Sequence, residues 1–227
     1  MTVAEALPRK GSRRYKMTIS LNVLNHLGIN LFSKVPAVLS EVVANAWDTD
    51  AHEVLIDIDK ENDQIVVKDD GVGMTEEDIN RRYLNVGYRK REELTGTTPE
   101  GREPMGRKGI GKLSVFSIAK TIEVYSTKND ERHAFRMNSD DIQRAIEDPS
   151  KEDDYFPEEL DPDLVAFDKG TKIVLKDLKK GLTRNAEFLA IAIILTDEDE
   201  MLLNTELGCL SHHSSRRISM WHHNISC

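Results

Sequence analysis

The chain has 227 residues, enough for one large domain whose core needs no disulfide or metal to hold it. With 40 Asp and Glu against 31 Lys and Arg it carries a formal charge of -9, which argues against a dedicated nucleic-acid coat while leaving room for a local basic patch. The two cysteines, Cys209 and Cys227, sit near the C-terminal end without a disulfide framework, no apolar run spans a bilayer, and the first residues lack a signal-peptide core. Together these predict a cytoplasmic protein without membrane contact.

Residues 1–18 predict a basic extended arm, 19–180 the main domain, and 181–227 a helical segment followed by an atypical, truncated or altered tail. In "LNVLNHLGINLF", Leu21, Leu24, Ile29 and Phe32 recur near helical spacing, broken by Gly28. "SKVPAVLSEVVANAWDTDA" follows, with Ser33 as a cap, Pro36 suited to a first turn, and Val35, Leu39, Val42, Val43, Ala46 and Trp47 in one apolar stripe. "HEVLIDIDK" and "DQIVVKDDG" predict a β-hairpin bent at "KEND". "TEEDINRRYL" opens as a helix at Thr75, with three acids in its first turn. Residues 86–108 have no periodicity and predict a long loop. "GKLSVFSIAK" suits a short buried helix, and "TIEVYST", "RHAFRMN" and "TKIVLKDL" read as strands, the last two separated by an acidic solvated loop. The pairs His212-His213 and His222-His223 fall on the polar tail and read as incidental rather than as a metal site.

"GRKGIGKLS" is the first place to look for chemistry. It is not a Walker A loop, because Leu113 stands where a magnesium-binding hydroxyl is required and no buried strand precedes it. It fails as a dinucleotide fingerprint for the same lack of a strand. Gly106, Gly109 and Gly111 nevertheless let backbone N–H groups approach an anion, beside Arg107, Lys108 and Lys112. A turn that merely caps a helix fits this segment equally well. Upstream, Glu41, Asn45 and Asp48 stand at i, i+4 and i+7 and share one helix face. Two carboxylates and an amide on a mostly apolar helix are costly unless they meet a polar partner, though a solvent-facing stripe is the commoner case. "DDGVGM" then ends a strand at Asp69, with Gly71 and Gly73 beyond it, and "DKGTKIVL" opens a late strand at Gly170-Thr171.

Taken in order, E-x-x-x-N-x-x-D, D-x-G-x-G, a long loop, G-x-x-G-x-G and a late Gly-Thr make the chain resemble the ATP-binding domain of the GHKL superfamily. Its members include gyrase B, ninety-kilodalton heat-shock chaperones, histidine kinases and MutL. The resemblance covers about Leu21 to Leu178 and lies nearest the chaperone, MutL and MORC side. It implies an α+β Bergerat fold: a two-layer sandwich of helices on one face of a mixed, mostly antiparallel sheet, with a lid near 86–112. It implies Glu41 as general base, Asn45 as the Mg²⁺ ligand, and Asp48 as a supporting residue. It further implies Asp69 as acceptor for the adenine amino group, assisted by Thr171, with Gly71, Gly73 and Met74 along the base and ribose. Gly106, Gly109 and Gly111 would present N–H groups to the phosphates, with Lys108 and Lys112 as neighbours. The cofactors implied are ATP and Mg²⁺, and the partner a second copy of the chain joined on ATP binding.

Chaperone- and MutL-type members take a lysine from a following domain, which the residues after Leu178 do not resemble. The expectation is therefore a low-turnover ATPase whose nucleotide state gates lid closure and dimerisation. Two alternatives stand beside it: a non-hydrolysing, ATP-gated module for a protein client, and a DNA-associated ATPase of a repair or defence system using the arm and "YRKRE" at 88–92. His26 reads as structural, so a histidine kinase is not expected.

Overall fold

The computed structural model describes residues 15–18, 35–59, 61–85, 97–105, 111–147, 154–179, 203–210 and 213–220. The elements are β1 (Met17–Thr18), α1 (Val35–Trp47), β2 (Glu53–Asp59), β3 (Gln64–Asp69), α2 (Glu76–Asp78), β4 (Ala119–Lys128), β5 (Glu131–Asn138), α3 (Ser139–Glu147), β6 (Asp154–Tyr155), β7 (Glu158–Glu159), β8 (Gly170–Leu178), β9 (Leu203–Leu210) and β10 (His213–Met220). Strands β7-β5-β4-β8-β3-β2-β10-β9 form one sheet in that order. Every pairing among the described strands is antiparallel, as the α+β expectation required in the main.

Helix α1 forms because its apolar stripe has helical period. Val38, Leu39, Val42, Val43 and Ala46 are all buried against Val54, Ile56, Ile58, Ile65 and Val67 of the hairpin and Ile122, Val124 and Leu175 of the central strands. In β2 the alternation of buried Val54, Ile56 and Ile58 with outward Glu53, Leu55 and Asp57 puts one face on this core, as period two dictates. The expected helix at "GKLSVFSIAK" is a 3-10 helix, Gly111–Ser117, and Ala119-Lys120 already belong to β4. At Thr75 the predicted cap is a full capping box: Asp78 N–H donates to the Thr75 hydroxyl oxygen at 3.2 Å, and Thr75 N–H to Asp78 Oδ2 at 3.2 Å. After one α turn the backbone widens into a π turn, Ile79–Tyr83, closed by Leu84 N–H to Ile79 O at 2.7 Å. The wider turn brings two residues five apart to one side, and both Ile79 and Leu84 are fully buried.

The acidic stretch 146–163, expected as a solvated loop, instead begins at the end of α3 and contributes β6, β7 and the start of a 3-10 turn, Pro162–Leu164. Leu160, Val165 and Phe167 then cover Tyr125, Ala134 and Val174 on the sheet face opposite α1. On that face Glu123 is buried, yet it takes hydrogen bonds from Arg136 at 2.8 Å and Tyr125 at 2.9 Å and an ion pair from Lys176 at 2.8 Å. Burial raises its carboxyl pKa, but Lys176, Arg136 and Tyr125 outweigh it and hold the group below the ordinary range.

The end of the N-terminal arm is part of the core. Tyr15 and Met17 are buried, β1 pairs with β6, and the Tyr15 hydroxyl lies 2.9 Å from His133 Nδ1. At the other terminus, β10 pairs with β2 along seven residues and β9 adds the edge strand. The segment expected to be helical from 181, together with His26 and the stretch 19–34, lies outside the described residues. Among the described residues no helix is long and apolar enough to cross a membrane.

The Glu123 cluster sets an acid-side test. Arg136 and Lys176 are 37% and 38% exposed, so water screens part of the loss when Glu123→Gln removes their shared counter-ion. The expected cost is about 2 kcal/mol at neutral pH, below the roughly 3–5 kcal/mol of fully enclosed pairs. Because the folded-state pKa is depressed, this contribution is present above the ordinary glutamate value of 4.5 and is lost as pH falls through the folded value. Thermal unfolding of both proteins from pH 3 to 7 should show a gap that closes in acid; a gap independent of pH contradicts the assignment.

Candidate functional site

Asp69 is the last residue of β3, where the strand leaves the sheet. Its Oδ1 accepts the N–H of Gly71 at 3.0 Å and that of Thr171 at 3.2 Å. Thr171 is its cross-strand partner on β8, so pairing alone delivers the second donor. The bond that reaches Asp69 comes from the Thr171 backbone N–H. Oδ2 takes no hydrogen bond among the described residues. Burial pushes the Asp69 pKa up to about 7, against the two backbone N–H groups, which lower it; neighbouring Asp70 adds to the rise.

The glycines beyond Asp69 allow two backbone segments to cross. Gly73 has φ +69°, and a Cβ there would lie 2.0 Å from Thr127 O. Gly170 has φ +107°, and a Cβ there would lie 2.1 Å from Asp69 O. Neither position accepts a side chain without moving the main chain. Met74 N–H donates to Ser126 Oγ at 2.9 Å, and that hydroxyl donates to Gly170 O at 3.2 Å. Ser126 is fully buried and faces Thr171 across β4 and β8. Sequence reasoning missed Ser126 because one serine in an apolar strand carries no signal of its own.

Glu41 and Asn45 lie on α1, where helical spacing aligns them as expected; both are half-buried. Asp48 follows the helix, and its Oδ1 accepts the N–H of Met105 at 2.6 Å. The end of α1 is joined to the Asp69 turn: Val72 N–H donates to Thr49 O at 2.9 Å, and Gly71 lies against the Thr49 hydroxyl. The structure thus brings together Asp69, Gly71, Gly73, Met74 and Thr171, and attaches to them the helix that carries Glu41 and Asn45, with Asp48 just beyond its end. Gly106, Lys108 and Gly109 lie outside the described residues. Gly111 opens the 3-10 helix beside α1, and the side chain of Lys112 is not described.

The chemistry of this set suits a purine nucleotide with a hard cation. A carboxylate with one oxygen tied to two amides and the other open is an acceptor for an exocyclic amino group. Among the described residues no cluster of three His, Cys, Asp or Glu could cage a metal. Asn45 offers one amide oxygen, a donor set that fits Mg²⁺, which takes most of its ligands from phosphates and water.

The titration of Asp69 is testable on the free protein. Its folded-state pKa is raised, so its contribution to stability is full below the ordinary value of 3.8 and is lost as pH rises to about 7. Asp69→Asn removes the ionisation, and the variant should therefore gain on the wild type between pH 4 and 7 and keep that gain above 7. Denaturant unfolding across this range checks it, and parallel pH curves for the two proteins would contradict the raised value.

Comparison with known proteins supplies the family. Residues 33–171 match the model described as histidine kinase-, DNA gyrase B-, and HSP90-like ATPase. A putative type II restriction enzyme, HgiDII of Herpetosiphon aurantiacus, is 43% identical over 173 residues, 76% of this chain and 27% of that protein. The chaperone protein HtpG of Rickettsia typhi is 25% identical over 178 residues, 67% of this chain and 26% of that protein. HtpG of Francisella tularensis subsp. novicida is 34% identical over 108 residues, 45% of this chain. The chain therefore spans about a quarter of the length of the first two relatives. The matched span runs from just before α1 through Thr171 and contains every predicted site residue. The family supports ATP as the ligand, and on the match and the fold together the chain belongs to the histidine kinase-, DNA gyrase B- and HSP90-like ATPases of the GHKL superfamily.

Proposed function

We propose that the chain binds ATP with Mg²⁺ and hydrolyses it slowly, its nucleotide state controlling association with a second copy. The observation that carries this reading is Asp69, a half-buried carboxylate with one oxygen fixed by Gly71 and Thr171 and the other without a hydrogen bond among the described residues. An adenine amino group donating to that oxygen gives a charged hydrogen bond, worth about 1.5–3 kcal/mol, whereas guanine presents a carbonyl there. Gly71, Gly73 and Met74 flank the base and ribose. Asn45 would hold Mg²⁺ through its amide oxygen, and Gly106, Gly109 and Gly111 with Lys108 and Lys112 would face the phosphates. When bound, the metal would neutralise phosphate charge. Glu41, one helical turn from Asn45, accepts a proton from the attacking water, and Asp48 holds the adjoining backbone through Met105.

ATP·Mg²⁺ should raise the thermal midpoint, GTP·Mg²⁺ should not, and Asp69→Asn should abolish the difference. Glu41→Ala should keep ATP binding while single-turnover hydrolysis falls by about 10²–10⁴. Hydrolysis no faster in wild type than in Glu41→Ala leaves the non-hydrolysing, client-binding module in its place. Equal stabilisation by the two nucleotides removes the adenine reading.

A second reading, a DNA-associated ATPase, is favoured by the 43% identity to a putative restriction enzyme. It expects salt-dependent DNA binding that weakens on neutralising Arg13 and Arg14. No binding at low salt removes it.

A further inference from the structure

Helix α1 stops in an unusual way. Ala51 N–H reaches Ala46 O at 3.1 Å and Asp50 N–H reaches Trp47 O at 3.0 Å, the paired bonds of a Schellman ending. The left-handed residue of that motif is ordinarily glycine, but here it is Asp50, at φ 55° and buried. What the carboxylate does there lies some fifty residues away in the chain. The Thr98 hydroxyl donates to Oδ1 and Glu100 N–H donates to Oδ2 at 3.3 Å. Arg102 is 2% exposed, and its Nε lies 3.8 Å from the same carboxylate. Its Nη1 donates to Ala51 O at 2.6 Å, its Nη2 to Glu100 Oε2 at 3.1 Å, and the guanidinium stands 4.7 Å over the Trp47 ring. Trp47 in turn donates its indole N–H to Glu103 O at 3.0 Å.

These contacts work together. A buried guanidinium is strongly unfavourable unless its partners are in place, and Asp50 in a left-handed conformation is unfavourable unless its side chain has something to hold. The segment 97–105 is therefore fastened to the end of α1 at several points. Its last described residue is Met105, whose N–H sits on Asp48, and Gly106 follows directly in sequence.

We propose that Asp50 and Arg102 are positioning residues for the nucleotide site: their latch fixes residues 97–105 against α1, holds Met105 on Asp48, and so sets ATP affinity. The proposal rests on the ATP reading above. The latch touches no reacting atom, and it acts by fixing Met105, the residue that directly precedes Gly106 in sequence, on Asp48.

The test uses a Trp221→Phe background, which leaves Trp47 as the one indole. Asp50→Gly opens the latch, with relief of the left-handed strain offsetting part of the loss of Arg102's counter-ion, while Arg102→Ala opens the latch from the other side. Both variants should shift Trp47 emission to the red in the free protein and raise the Kd for ATP·Mg²⁺ about tenfold. If Arg102→Ala does not fold, Asp50→Gly decides. Unchanged affinity in Asp50→Gly with moved Trp47 emission overturns the positioning role, and unmoved emission overturns the latch. Failure of the ATP reading shows separately: wild type does not bind ATP, or Asp69→Asn binds it as tightly, and the affinity role then falls with it.

Discussion

A carboxylate placed at the end of a buried strand is unfavourable by itself, and much of the architecture around Asp69 follows from making it tolerable. Two backbone amides must converge on one of its oxygens. One comes from the turn at Gly71, the other from the first residues of β8. That convergence forces β8 to enter so close to β3 that position 170 admits no side chain, and the next crossing imposes the same limit at Gly73. Ser126 then ties the two crossings together from β4. Burial meanwhile raises the carboxyl pKa and so favours its protonated form.

The parts of this fold that were legible in the sequence are those with a short period. The apolar stripe of α1 and the alternating hairpin announce themselves within a dozen residues, and the D-x-G-x-G turn follows the hairpin directly. The Thr75 cap is equally local, but the widening at Ile79–Tyr83 is not, because it answers to a core that Ile79 and Leu84 must share. The acidic stretch after α3 read as solvated because charge dominates it. Leu160, Val165 and Phe167 are too few to show a pattern, yet they cover a sheet face. Residues 97–105 looked featureless for a different reason. Arg102 is one cation among many in a loop, and its partners lie at the far end of a helix. For the site, residue types and spacing located Glu41, Asn45 and Asp69, while Ser126 and the donation from Thr171's backbone needed strand register.

Helix α1 serves the core and the site from opposite sides. Its apolar stripe fixes its rotation on the sheet, and that rotation turns Glu41 and Asn45 away from the core. The same arrangement explains why its C-terminal end is crowded with contacts. Trp47, Asp48 and Asp50 bind the 97–105 segment and Thr49 binds the Asp69 turn, so the helix end is where those two stretches are referred to one frame.

The span shared with the family begins at residue 33, but the packing begins earlier. Tyr15 fits between His133 and Phe135, its ring 5.0 Å from the latter, and Met17 is wholly enclosed. A chain trimmed to the matched span would bare two aromatic rings and lose both buried side chains. The first strand is thus a stopper for the sheet's far edge, and whatever pulls on the basic residues ahead of it pulls on the hydrophobic interior.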